Sequence, residues 1–346
     1  MADKTKIEWA ESTWNPVTGC TKVSPGCANC YIERTPPFRM EGRWFVKGAI
    51  PVRLHPDRLD VPLRWRKPRR VFVCSLADLF HEDVPDAFID QVFATMALAP
   101  QHTFQCLTKR PERMRAYLTG KELPVYFHDG SLSPRPADRP TKVLWAAQQM
   151  CDDGAPYKEY LIGDDMDWPL PNVWLGVSVE NQRMADERIP VLLDTPAAVR
   201  FLSCEPLLGP LDLRPWLERR VLHSPDLGGV GTNSYAPRID WVIVGGESGP
   251  GSAKRKLVER CHCRTDGRWS CTGYREPRFW ACEDCHGTGW RPKPKALEWV
   301  RGIRDQCVAA GTAFHLKQLG GPRPTSGGRL LDGREWNEMP GEKAKR

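Results

Sequence analysis

The chain has 346 residues, 40% of them hydrophobic, with a formal net charge of +7 and a pI of about 8.8. No run of about 18 apolar residues is present, which excludes a helical membrane span, and Met1-Ala2-Asp3-Lys4 opens no signal peptide. Thirteen cysteines without a secretion signal favour reduced thiols and metals over disulfides, so the expected compartment is the cytoplasm.

In chain order, the first informative stretch is Trp14–Tyr31. It places Cys20, Cys27 and Cys30 at C-x6-C-x2-C spacing among Gly19, Gly26, Pro16 and Pro25. Glycine opens backbone conformations closed to other residues and proline stiffens the path, so such a loop can fold its thiolates around one centre. A closed structural zinc site needs four ligands. Three thiolates suit a centre with one open position, such as a 4Fe–4S cluster with one free iron. Zinc completed by a distant His or Cys, or unligated buried cysteines, are the alternatives.

Residues 32–69 read as irregular and basic. Trp44, Trp65, Arg64, Arg66, Lys67, Arg69 and Arg70 mix aromatics with positive charge here, as a nucleic-acid surface does. A regular beat then begins. Val71–Ser75 predicts a strand, and Pro85 opens a helix to about residue 98 with Phe88, Ile89, Val92, Phe93 and Met96 at helical spacing. Thr103–Lys109 predicts a second strand, and Pro111 a helix burying Met114, Tyr117 and Leu118. Residues 120–171 read as an insertion with a weak helix near 142–151. The beat resumes with strands at Val173–Val179, Ala198–Ser203, Asp240–Gly246 and Ala313–Lys317, and helices near 182–193 and 295–310. A strand near Trp14 makes a seventh.

Alternating apolar strands and amphipathic helices imply an α/β fold with a mostly parallel sheet. Polar residues end every strand: Ser75 and Asp78, Thr108 and Lys109, Ser178, Glu180 and Asn181, Ser203 and Glu205, Gly246 and Glu247, Lys317. In a barrel of parallel strands these ends form the active site, so the expectation is an incomplete (β/α) barrel of about 6–7 strands. Its domain covers 1–254 and 295–346.

Residues 255–294 read as a zinc-knuckle insertion. Cys261, Cys263, Cys282 and Cys285 are the first ligand set, with Cys271, His262 or His286 as substitutes. A metal staple of this kind folds a segment too small to have its own core.

The three-Cys loop is followed by Val73–His81, Leu107–Arg113, Gly176–Asn181, Ser203–Pro206 and Gly245–Gly249. Together these resemble a family of uncharacterised phage and prophage proteins known by a three-cysteine motif. That family is thought related to radical S-adenosylmethionine enzymes, whose usual spacing is C-x3-C-x2-C; here the first gap is six. The resemblance implies a 4Fe–4S cluster, S-adenosylmethionine at its open iron, and an electron donor. The strand ends then supply candidate support. Gly245, Gly246 and Glu247, with Ser178, Asn181 and Ser75, are expected to bind the cofactor. Glu205, Glu180 and Asp78 are the expected catalytic acids. Lys109, Arg110 and, more weakly, Lys317 are candidates for a carboxylate or phosphate.

Three functions are compatible with these residues. The first is a radical S-adenosylmethionine-like enzyme, phage-associated, acting on a nucleic acid or nucleotide. The second is a non-catalytic, zinc-stapled nucleic-acid-binding protein. The third is a metal-dependent hydrolase or nuclease using Asp78, His81, Glu180 and Glu205. No membrane partner is expected, and the oligomeric state is not readable from sequence.

Overall fold

A computed structural model describes residues 5, 7–120, 138–152, 166–218, 221–222, 234–249, 257–261, 289–323 and 326–341. The chain divides into two compact units, residues 1–177 with 188–200, and residues 178–187 with 201–346.

In the first unit β1 (Ser12–Trp14) leads into β2 (Val17–Thr21), a short helix α1 (Pro36–Met40) and β3 (Ala49–Leu54). β4 (Arg70–Val73), α2 (Asp86–Leu98), β5 (Thr103–Thr108), α3 (Pro111–Thr119), α4 (Arg139–Asp152) and β6 (Val173–Ser178) follow. β1, β4, β5 and β6 pair in parallel, with Trp14 opposite Val73, Val73 opposite Cys106 and Cys106 opposite Leu175. Side chains alternate across a strand. One face therefore carries Trp14, Val71, Val73, Phe104, Cys106, Val173 and Leu175, all at most 3% exposed. On the other face Trp9 packs on Phe72 at 4.6 Å between ring centres.

The expectation that 32–69 is irregular needs correction. β3 pairs antiparallel with β2, and the register shifts between Thr18 and Cys20. Pro51 hides this strand in the sequence, because proline cannot donate to a ladder and is tolerated only at edges and bulges. Gly19 sits at the shift with φ +96°, and a Cβ there would collide with the Pro51 carbonyl oxygen. Gly26, by contrast, lies within the tight 3-10 turn Pro25–Cys27. Helix α4 begins three residues before its predicted start. Its first residue, Arg139, is 2% exposed and pairs with Asp86 and Asp90 of α2 at 2.7 and 2.9 Å.

The second unit takes the first half of α5 (Gln182–Leu193) and most of β7 (Val199–Cys204), which the division cuts. It continues with α6 (Arg214–Leu217), the ribbon β8 (Val221–Leu222) and β9 (Ser234–Tyr235), β10 (Trp241–Gly245), β11 (Val258–Arg260), β12 (Trp290–Pro292), α7 (Pro294–Ala310) and β13 (Ala313–Gln318). β7, β10 and β13 are parallel neighbours; Val242, Val244, Leu202, Cys204, Phe314 and Leu316 are fully buried. Gly311 closes α7 in the left-handed conformation, its N–H reaching the Cys307 and Val308 carbonyls.

Hydrogen bonding links seven strands in the order β1-β4-β5-β6-β7-β10-β13. The order follows the chain without reversal. A doubly wound sheet would reverse at a switch point. This is the incomplete (β/α) barrel arrangement expected from the sequence. Among the described residues no helix is long and apolar enough to cross a membrane.

Candidate functional site

The three-Cys loop is built on the strand ends of the first unit. Cys20 lies on β2, directly after Gly19. Cys27 ends the Pro25–Cys27 turn, its N–H donating to Ser24 at 2.9 Å, and the Cys30 N–H donates to the Cys27 carbonyl at 3.2 Å. Cys20 and Cys30 pack against one apolar cluster of Ile32, Phe38 and Ile50, together with Phe45 and Leu76. Several ties fix the loop to the end of β4. Buried Asn15 accepts hydrogen bonds from the Ser75 hydroxyl at 3.2 Å and the Leu76 N–H at 2.8 Å. The Gly19 N–H donates to the Leu76 carbonyl at 3.1 Å, and the Tyr31 hydroxyl donates to the Ser75 carbonyl. Lys22 holds the Ala28 carbonyl at 3.1 Å and lies over the Phe45 ring.

Positive charge surrounds the thiols. Arg110, at the end of β5, points Nη1 at Cys20 Sγ at 3.9 Å and Nη2 at the Thr21 carbonyl at 3.3 Å. Burial pushes the Cys20 thiol up to about 12, with Asp78 adding to the rise and Arg110 opposing it. At Cys27 burial is outweighed by Lys109 and by hydrogen bonds at Val23 and Ser24, and the pKa falls below the ordinary thiol value. Burial raises Cys30 against the Ile32 backbone and Lys109. Cys27 acts electrostatically on both Cys20 and Cys30, so the three thiols share one field.

The donor set fits an anionic thiolate-bound group ringed by Lys22, Lys109 and Arg110. Metal binding displaces the thiol protons that burial otherwise retains. Ligands of one zinc, each at about 2.3 Å, must lie within about 4 Å of one another. Among the described residues no three His, Cys, Asp or Glu side chains are gathered for a single ion. An iron–sulfur cluster takes each thiolate on a different iron.

Asp78 and His81 hold this frame. Asp78 accepts from the Thr108 hydroxyl at 2.7 Å, the Phe80 N–H at 3.0 Å, the Lys109 N–H at 3.0 Å and Arg110 at 3.2 Å. His81 Nδ1 accepts the Asp83 N–H at 3.1 Å, so Nε2 donates to Thr21 Oγ1 at 2.9 Å. Asp78, one of the expected catalytic acids, thus holds the start of α3 and the Arg110 side chain in place.

In the second unit Glu205 forms a distinct cluster. Lys317 Nζ lies 2.8 Å from both Glu205 carboxylate oxygens, and Gln318 Nε2 donates to the Gly246 carbonyl at 2.8 Å. A Cβ on Gly245 would stand 3.0 Å from the Glu205 carboxyl carbon, and one on Gly246 would collide with the Leu319 carbonyl. At the two glycines expected at the cofactor, Glu205 closely approaches Gly245 and the loop after β13 closely approaches Gly246. Gly321 completes that loop contact by donating to the Glu247 carbonyl at 3.0 Å. Asn181, expected at the cofactor, caps α5: its Oδ1 accepts the Met184 N–H at 3.0 Å. Ser75 is spent on Asn15. Ser178, Glu180 and Glu247 are at most 6% exposed.

Cys261 is fully buried and its N–H donates to the Gly289 carbonyl at 3.1 Å, just beyond the β11–β12 ribbon. Cys263, Cys271, Cys282, Cys285, His262 and His286 lie outside the described residues. Of the basic flank, Trp65 is folded inward, edge-to-face with His102 and under the Arg69 guanidinium at 4.7 Å. Arg64 pairs with Asp60 and Arg70 with Glu11. Sequence reasoning missed Asn15, Lys22 and Tyr31 as parts of the site. Their nearness to the cysteines in the chain was the available signal.

A model of one family, described as a protein of unknown function (DUF5131), matches residues 4–264 and 285–340. No curated protein and no solved structure matches.

Proposed function

The chain belongs to the DUF5131 family, whose function is unknown, and from that premise we propose an iron–sulfur enzyme of the radical S-adenosylmethionine type acting on a nucleic acid. The observation that carries this reading is the set of three half-buried thiols, coupled electrostatically and ringed by Lys22, Lys109 and Arg110. Cys20, Cys27 and Cys30 would hold a 4Fe–4S cluster through three of its irons. Such a cluster would supply the single electron for reductive cleavage of S-adenosylmethionine, and with it hydrogen-atom abstraction from a substrate.

This chain's residues prepare that chemistry. Asn15, Tyr31 and Gly19 hold the loop on the end of β4, and Asp78 fixes Arg110 against Cys20. Pre-set positive charge costs no reorganisation when the centre's charge changes.

The nucleic-acid part rests on the segment around the loop, not on residues 64–70. Among the described residues, five of the eight large exposed apolar side chains fall within 23–46: Val23, Tyr31, Met40, Trp44 and Val46. Trp44 is 60% and Tyr31 51% exposed, and Arg34, Arg39 and Lys47 are exposed among them. Exposed rings interleaved with cations suit unpaired bases and their phosphates. A phage-associated role is supported by the resemblance to phage and prophage proteins.

The test is anaerobic reconstitution with iron and sulfide. About four irons per chain, a visible cluster absorbance and release of 5′-deoxyadenosine on reduction with S-adenosylmethionine are expected. Cys27→Ala should lose the iron and the product together. Zinc in both cysteine groups, no iron, and salt-sensitive binding to single strands would instead give the non-catalytic binding protein.

A further inference from the structure

We propose that Arg110 is a positioning residue that sets the reduction potential of the centre held by Cys20, Cys27 and Cys30, with Asp78 and Glu82 fixing where its charge lies. The inference rests on the iron–sulfur reading and adds to it a means of tuning.

A guanidinium is a planar fork, so contacts on three sides determine the fourth. Here Nε donates to Glu82 at 2.8 Å, Nη1 to Asp78 at 3.2 Å and Nη2 to the Thr21 carbonyl at 3.3 Å. The remaining direction brings Nη1 to Cys20 Sγ at 3.9 Å. Asp78 is itself clamped by Thr108 at 2.7 Å and by the Phe80 and Lys109 N–H groups at 3.0 Å, so the fork has a rigid base. Arg110 is 9% exposed, and salt screens a charge at that depth only weakly.

Fixing the loop would need only the Thr21 contact. The approach to sulfur does something further: a positive donor at a ligating thiolate favours the more negative, reduced centre. The step is the uptake of one electron from a low-potential one-electron donor. The charge of the centre falls by one, and no bond forms or breaks.

The full-length chain is reconstituted anaerobically as wild type, Arg110→Gln, Arg110→Lys and Asp78→Asn. Iron and sulfide are counted, and the midpoint potential is read by dithionite titration followed by electron paramagnetic resonance, without S-adenosylmethionine. Arg110→Gln should load iron and fall in potential by about tenfold in the reduction equilibrium, which is about 59 mV for one electron. Arg110→Lys should recover part of that fall. Asp78→Asn removes a negative charge from the same place and should move the potential the opposite way. A loaded Arg110→Gln chain with the wild-type potential overturns the proposal and leaves the cluster reading intact. If Arg110→Gln does not load, Arg110→Lys decides: a loaded chain with a potential below the wild-type value supports the proposal and one at the wild-type value overturns it. A wild-type chain that takes up no iron removes both.

Discussion

Gly19 and Gly48 both have positive φ, +96° and +84°, yet only Gly19 has backbone where a Cβ would go. Gly19→Ala should therefore combine backbone strain with the Pro51 collision and cost about 1–3 kcal/mol. Gly48→Ala should cost less, since nothing lies within 4 Å of its Cβ position. Urea midpoints of the two variants make the comparison; equal losses would refute the collision argument. Asn181→Ala should cost about 1 kcal/mol as a lost helix cap, with Asn181→Asp near wild type. Loss of S-adenosylmethionine binding in both, without loss of stability, would return Asn181 to the cofactor. His102 gives a pH prediction. Its Nδ1 accepts the Arg69 N–H at 3.2 Å and its Nε2 faces the Pro62 carbonyl at 3.1 Å, the neutral tautomer. Burial lowers its pKa below the ordinary histidine value, so the unfolded chain binds the proton more readily. Stability should therefore fall as pH drops through about 6.5. Replacing His102 with Gln should flatten that fall between pH 7.5 and 5.5, and an unchanged slope would exclude it as the cause.

At the level of elements, helix α4 depends on one charge. Arg139 donates to Asp90 at 2.9 Å, Asp86 at 2.7 Å and the Tyr117 carbonyl at 2.9 Å, with its own side chain 2% exposed. Removing one partner of a buried pair leaves the other uncompensated. Arg139→Met should cost about 3–5 kcal/mol, and adding Asp90→Asn should recover part of it. Additive losses in chemical denaturation would show that the pair does not couple. This helix also marks where sequence reading stops. The long strands were legible because each is a continuous apolar run with polar residues after it. The start of α4 was not, because a buried arginine reads as surface until its two aspartates are seen. β3 was hidden by Pro51. The strand-end polar residues were legible as a set, but their parts were not. Asp78, Asn181 and Ser75 each hydrogen-bond within the chain, which their positions in the sequence did not reveal as a group. Only for Asn181 did the sequence carry the sign, an Asn just before a helix.

Across the whole molecule, the seven strands succeed one another in chain order, so no part of the sheet waits for a distant segment to be inserted. The family model skips residues 265–284, and the β11–β12 ribbon brackets that gap. Arg260 stands opposite Trp290, and the Cys261 N–H meets the Gly289 carbonyl at 3.1 Å. Two strand ends that close together can be joined by a two-residue Asn-Gly turn. Cutting out residues 262–288 and rejoining the ends that way should give a shorter chain that melts near the wild-type temperature; a collapse of the melting transition would show that the excised piece supports the sheet. The ribbon thus works as a socket. Because its two strands meet at Arg260 and Trp290, the length of what they carry need not alter the register on either side.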